Sequence, residues 1–373
     1  MRVQKYFLII AIVYMAGFIA HAGLLKKTVY GDGVFYYSWV KSAVVDHDLN
    51  FSDEYAHFQA SQPQTALSLP GNKYSVGPAI LWSPWFAWTH TLVKGSGYEL
   101  PYQIIVGLSG VQYSLTGLVL LFLLLKKYFS ETVSLAAIAA TAGATNLLFY
   151  GSLDTVNSHA VSFFAAVLFL TFLFQQKRNW FLIGMALGIV GLMRTQDVIL
   201  GLLILPYIKP KNILHVLSGA FIAFAPQLIA WQLLYGRFWI SPYINNIEGF
   251  NFFQPHISGV LFSLTNGLIL WTPAVALGFY GLVRKSDMLP TRLMAAVVLI
   301  QLYLVASWSI WWQGASYSGR MFVSVLPILA MGLGNFFTIF ESPKLKYIIL
   351  MYTITLPLIV LNVLMMIYFL LAH

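Results

Sequence analysis

The sequence predicts an all-α, polytopic integral membrane protein with about 11 transmembrane helices and a long first outer loop carrying interfacial helices. Three observations predict it. Of 373 residues, 59% are hydrophobic and 9% charged, and the mean hydropathy is +0.76. A soluble domain carries roughly 25% charged residues, so this chain lacks the polar side chains to cover a water-facing surface. Apolar runs of spanning length recur throughout, and in lipid only a helix or a closed barrel satisfies its own backbone. Between the runs, Lys and Arg fall in pairs, the pattern that orients a membrane protein. The formal charge of +9 follows from that pattern, so nucleic acid is excluded as a partner that the charge would require. With no cysteine, disulfides, thiolate metal sites and cysteine nucleophiles are excluded.

In order, the predicted spans are 6–24, 103–125, 132–150, 158–175, 180–194, 197–208, 212–235, 259–283, 292–308, 321–340 and 347–370. The stretch 78–93 is also apolar but holds two prolines and three tryptophans. The basic residues decide whether it spans. If it does not, and the N-terminus with Arg2 and Lys5 is cytoplasmic, then Lys126/Lys127, Lys177/Arg178, Lys209/Lys211, Arg284/Lys285/Arg292 and Lys344/Lys346 all lie inside. Those are 13 of the 21 basic residues, and nine of the 12 acidic residues then lie outside. A spanning 78–93 would reverse every later basic pair, so the segment is placed along the outer interface, where Trp rings prefer to sit. The N-terminus is inside and the C-terminus outside. Residues 25–102 form the first outer loop of a single integral domain, 1–373, with no separate soluble domain. Arg2, Lys5 and the run ending Ala20-His21-Ala22 mimic a signal peptide, but the run is longer than a usual signal core and is expected to stay as the first span.

The polar residues that need explaining face outward. Asp32 sits between Gly31 and Gly33, ahead of Tyr36 and Tyr37; it either opens an interfacial helix as an N-cap or belongs to an aromatic pocket. Asp46, Asp48, Asp53 and Glu54 read as a solvated acidic face. Lys73 either snorkels to lipid phosphates or grips a substrate phosphate. Asp154 and His159 occupy a short outer turn and the start of the next span, where an ionisable group is expensive and usually functional. Arg194-Thr195-Gln196-Asp197 interrupts two apolar runs; it is either a structural Arg–Asp pair or an anion site at the rim. The segment Trp311-Trp312-Gln313-Gly314-Ala315-Ser316-Tyr317-Ser318-Gly319-Arg320 offers small residues for close backbone approach, and Arg320 at a helix start. One carboxylate and several cations on a membrane face suit a lipid-phosphate donor: cations hold the leaving phosphate and the carboxylate takes a proton from an attacking hydroxyl.

Asp32-Gly33-Val34-Phe35-Tyr36-Tyr37, Lys73-Tyr74-Ser75-Val76-Gly77-Pro78, Trp82-Ser83-Pro84, Asn266-Gly267-Leu268, Trp271-Thr272-Pro273 and Trp312-Gln313-Gly314 through Arg320 together resemble the GT-C superfamily of membrane glycosyltransferases, in particular its group of protein O-mannosyltransferases and aminoarabinose transferases. The resemblance implies sugar transfer from a polyprenyl-phosphate-linked donor to an acceptor hydroxyl at the outer face, with inversion. It implies Asp32 as general base and Arg320, Arg194 and Lys73 as binders of the donor phosphate. Tyr36, Tyr37, Asp154, His159, Gln196, Asp197, Trp312, Gln313 and Tyr317 would form the sugar and acceptor pocket. Expected partners are the donor, membrane lipids and an acceptor that is a lipid, a glycan or a protein. No motif supports a divalent cation. The expected location is a bacterial inner membrane in the cell envelope, with the site facing out. The alternatives are a transporter or flippase of a lipid-linked sugar and a non-catalytic subunit of a polysaccharide assembly machine.

Overall fold

The computed structural model describes residues 2–243, 248–284, 290–342 and 344–372; Lys285 therefore lies outside the described residues. Every regular element among them is helical. Helix α1, Arg2–Leu25, and helix α5, Leu100–Leu125, run antiparallel. The Phe7 ring meets Phe122 at one end, and the Thr28 hydroxyl donates to the Gln103 carbonyl (2.7 Å) at the other. Between them lie α2, Gly33–Lys41, which runs on as one π-helical turn, then α3, Ser52–His57, and α4, Gly77–Val93. Helix α4 is the Trp-rich stretch. Pro78 fits its first turn and a left-handed Lys94 ends it. It buries Trp82 and Phe86 against the rest of the segment and leaves Trp88 exposed.

The chain continues through α6 (Glu131–Gly143), α7 (Leu147–Ser152), α8 (Ser158–Leu173), α9 (Trp180–Met193) and α10 (Pro210–Tyr235). Side-chain caps from Ser130, Asn157 and Asn179 start α6, α8 and α9 by accepting from otherwise orphaned backbone N–H groups. Then follow α11 (Ile257–Phe262), α12 (Leu268–Trp271), α13 (Ala274–Val283), α14 (Thr291–Ser307), α15 (Leu326–Phe337) and α16 (Leu345–Ala372). Three predicted spans differ from the structure. The run 132–150 breaks into α6 and α7, 259–283 breaks into α11, α12 and α13, and 197–208 is a 3-10 helix, Thr195–Ile204. Apolar composition alone cannot reveal such breaks, because the polar groups that satisfy the freed backbone come from distant helices. Asn362 of α16 donates to the carbonyls of Gly143 (2.8 Å) and Thr145 (3.0 Å) at the first break.

Val3–Leu25, Leu100–Leu125, Pro210–Tyr235, Arg320–Phe340 and Ile348–Ala372 are long and apolar enough to cross a membrane. Helices α8, α9, α13 and α14 are apolar but shorter. Leu8, Ile9 and Ile12 on α1, Leu214, Leu217 and Phe221 on α10, and Leu361 and Leu364 on α16 are all exposed. Such a surface is stable against lipid and not against water, so this is a membrane protein. Its basic loops gather at one end of the helices. The Phe129 ring lies beside Gly334, Tyr128 meets Phe174, Arg178 stacks over Tyr207 (4.1 Å), and Arg284 donates to the Asn335 carbonyl. Residues 26–99 pack at the opposite end around a second apolar cluster that includes Tyr37, Trp39, Phe51, Trp82, Phe86 and Tyr102.

Candidate functional site

A cavity of about 580 Å³ opens at the end of the helices covered by residues 26–99. Asp32 reaches it because the backbone on either side is unusual. Gly31 is left-handed (φ +53°), and Gly33 lies so close to the Val156 carbonyl oxygen that a Cβ there would strike it. Asp32 stands at the N-cap position of α2, yet its carboxylate does not cap the helix. It turns to side chains from elsewhere in the chain. Oδ2 lies 2.7 Å from Nη1 of Arg320, and Oδ1 accepts a hydrogen bond from the Tyr74 hydroxyl at 2.7 Å. Burial disfavours the charged carboxylate, but the Arg320 guanidinium and the Tyr74 hydroxyl outweigh it and hold Asp32 below its usual range.

Arg320 comes from a loop fixed by both helix breaks. At the first break, Asn146 donates to the Gly319 carbonyl (2.9 Å) and the Tyr150 hydroxyl to the Tyr317 carbonyl (3.0 Å). At the second, Asn266 donates to the Trp312 carbonyl, and the Thr272 and Ser318 hydroxyls are 3.0 Å apart. Gln313, Gly314 and Ser318 have positive φ, so the loop is tightly folded on itself. The breaks that the apolar pattern concealed are thus the mounting points of the arginine.

Arg194 lies 8% exposed after α9. It makes the Arg–Asp pair weighed from the sequence, but loosely: Nε is 3.9 Å from Asp197, within ion-pair range and too far for a hydrogen bond. Its Nη1 donates to Nδ1 of His159 at 3.0 Å, and Nη2 contacts the Met321 sulfur. A guanidinium can only donate, so His159 is neutral there and carries its proton on Nε2. Lys73, the third expected cation, is 2.5 Å from Glu248. Among the described residues, two of the three cations are therefore neutralised at hydrogen-bond distance by carboxylates, and Arg194 is not.

The cavity brings together Asp32, Tyr36, Lys73, His159, Arg194, Gln196, Gln313 and Arg320. Five other expected pocket residues do not line it. Tyr37 is fully buried and donates to the Gly97 carbonyl (2.6 Å), and Tyr317 is fully buried and donates to Asn362 (2.6 Å); each serves packing. Trp312 is half-exposed, and its carbonyl accepts from Asn266. Asp197 is buried behind Arg194. Asp154, half-buried, is not among the lining residues: loss of solvent pushes its carboxyl up to about 6, against the pull of Arg320 and helped by the charge of Asp32. The acidic run is not uniformly solvated either, since Glu54 is completely buried beside Lys41 (3.4 Å). The sequence reading missed Tyr74, Gln227, Trp231, Tyr243, Glu248, Gln301 and Trp308, all of which line the cavity. Tyr74 lies inside the motif already quoted and was legible. Gln227 and Gln301 lie within predicted spans, where a polar residue facing a cavity is the available signal.

No protein-family model matches the chain, and no curated protein matches it in sequence. Solved structures match its fold. ArnT from Cupriavidus metallidurans, in the apo state, superimposes with a TM-score of 0.58 at 11% identity, over 91% of this chain and 60% of that one. The archaeal oligosaccharyltransferase AglB from Archaeoglobus fulgidus, in complex with an inhibitory peptide and a dolichol-phosphate, gives 0.57 at 11% identity, over 97% and 55%. The apo form of that oligosaccharyltransferase gives the same values. This chain thus spans between half and two thirds of the length of the structures it matches. It has a GT-C-like membrane fold, the fold class that the sequence resemblance implies.

Proposed function

We propose that the protein is a membrane glycosyltransferase that moves a sugar from a polyprenyl-phosphate donor to an acceptor hydroxyl at the outer face, with inversion. The observation that carries this reading is one cavity in which an ionised carboxylate and a cation not paired at hydrogen-bond distance face the same space. Asp32 is the general base. Its carboxylate has about four lone-pair positions, of which Arg320 and Tyr74 use two, so it can accept a hydrogen bond from the attacking hydroxyl. Its lowered pKa keeps it ionised at neutral pH. It takes the proton late, after the acceptor oxygen has begun to bond to the anomeric carbon and its own proton has become acidic. As that bond forms, the bond from the anomeric carbon to the phosphate oxygen breaks and the electron pair leaves with the phosphate. Arg194, with the Nε2–H of His159, receives that charge. Arg320 orients Asp32, and Lys73 is held by Glu248. Of the three phosphate binders implied by the resemblance, this keeps Arg194 and gives Arg320 and Lys73 other partners.

The mechanism is tested with radiolabelled polyprenyl-phosphate sugars in membranes carrying wild type, Asp32→Asn or Arg194→Ala. Asp32→Asn should lower transfer by at least about a hundredfold and leave donor binding nearly intact. Arg194→Ala should weaken binding of the lipid phosphate by about tenfold or more. Donor that binds and crosses the bilayer without transfer would establish a flippase in place of an enzyme.

A further inference from the structure

We infer that the cavity takes an uncharged sugar and that Gln227, Gln301 and Gln313 select it; this inference rests on the glycosyltransferase reading above. The three glutamines come from α10, α14 and the 311–320 loop, all line the cavity, and none is more than 3% exposed. Each spends one end of its carboxamide on backbone. The Gln227 Oε1 accepts from the Val76 N–H (3.0 Å) and the Gln313 Oε1 from the Met321 N–H (2.9 Å), while the Gln301 Nε2 donates to the Met321 carbonyl (2.8 Å). A backbone N–H only donates and a carbonyl only accepts, so these bonds fix the polarity of all three amides. What remains for a ligand is an NH₂ from Gln227, an NH₂ from Gln313 and a carbonyl from Gln301. None of these ends has another partner among the described residues. Once a ligand displaces water from the cavity, an amide end without a partner is costly, and hydroxyl groups, which both donate and accept, satisfy donors and acceptors alike. Trp231 and Trp308 add apolar ring surface for the C–H faces of a sugar.

Charge completes the argument. An ammonium on the sugar would need a carboxylate whose charge is not already neutralised, but the two that line the cavity among the described residues, Asp32 and Glu248, sit 2.7 Å from Arg320 and 2.5 Å from Lys73. A carboxylate on the sugar would compete with the phosphate for Arg194. A neutral polyhydroxylated ring meets neither obstacle.

The test is equilibrium binding to the purified full-length protein in detergent. The probes are one short polyprenyl phosphate, bare or carrying glucose, mannose, aminoarabinose or glucuronic acid. Wild type should bind the glucose or the mannose form at least about tenfold more tightly than the aminoarabinose and glucuronic forms, the value of one or two hydrogen bonds. Gln227→Glu and Gln313→Glu keep an oxygen for the backbone N–H and replace the free NH₂ by a charged oxygen. Each should weaken the neutral-sugar form about tenfold, strengthen the aminoarabinose form, and hold the bare lipid phosphate within a factor of about three of wild type. Equal or tighter binding of the charged sugars by wild type would overturn the neutral class and leave the lipid-phosphate reading standing. Neutral-sugar binding unchanged in both variants would overturn the role of the glutamines. No binding of any probe, the bare phosphate included, would overturn the underlying function and this inference with it.

Discussion

Glu54 is the residue whose chemistry departs furthest from its apparent setting. It lies in an acidic run, but its side chain is completely buried in the 26–99 segment. Burial, added to the nearby charge of Asp46, pushes its carboxyl up to about 7 in spite of Lys41, which Asp46 already holds at 2.6 Å. The folded chain therefore keeps a proton that the unfolded chain releases near pH 4.5, so stability falls as pH rises from about 4.5 to about 7 and is level above that. Glu54→Gln should raise the melting temperature in detergent by about 2–4 °C at pH 8 and leave it unchanged at pH 4.5. A larger effect at pH 4.5 than at pH 8 would contradict this account. At the same scale, Asp32, Lys73, His159, Arg194 and Arg320 were legible in the sequence because ionisable groups stand out in an apolar chain. Their pairing was not. Arg194 reads as the partner of Asp197, three positions on, and in three dimensions its hydrogen bond goes to His159.

Among the elements, the 311–320 loop matters most, because it delivers Arg320 to Asp32 and Gln313 to the cavity. It is tied to the break between α6 and α7 by Asn146 and Tyr150, and that break is itself satisfied by Asn362 of α16. Asn362→Leu removes the side-chain donor from both carbonyls, of which that of Thr145 keeps the Leu148 N–H (3.2 Å), and should cost about 1–3 kcal/mol of stability. Through the loop it should also lower transfer, by about tenfold. Asn362→Asp keeps an acceptor for the Tyr317 hydroxyl but cannot donate to the two carbonyls, so it should resemble Asn362→Leu in a thermal melt. The helices that carry this loop were legible as apolar runs. Their interruptions were not, because Gly143 and Asn146 are tolerated in a continuous span as readily as in a broken one, and the residue that decides between the two lies more than 200 positions further on.

For the molecule as a whole, the expected orientation can be measured directly, since the chain contains no cysteine to remove. Single substitutions Ser61→Cys and Lys177→Cys report the two ends of the bundle. A membrane-impermeant maleimide should label Ser61→Cys in intact cells and Lys177→Cys after the membrane is opened. The reverse pattern would invert the topology and place the cavity at the cytoplasmic face. The paired basic loops imply this polarity in the sequence, and the structure gathers those loops at one end of the helices. The cavity at the other end is lined by an ion pair whose members, Asp32 and Arg320, belong to widely separated parts of the chain. A nascent chain that has inserted only its first helices thus carries Asp32 without its arginine. On the proposed mechanism, catalytic competence therefore waits until the segment carrying Arg320 has joined the bundle.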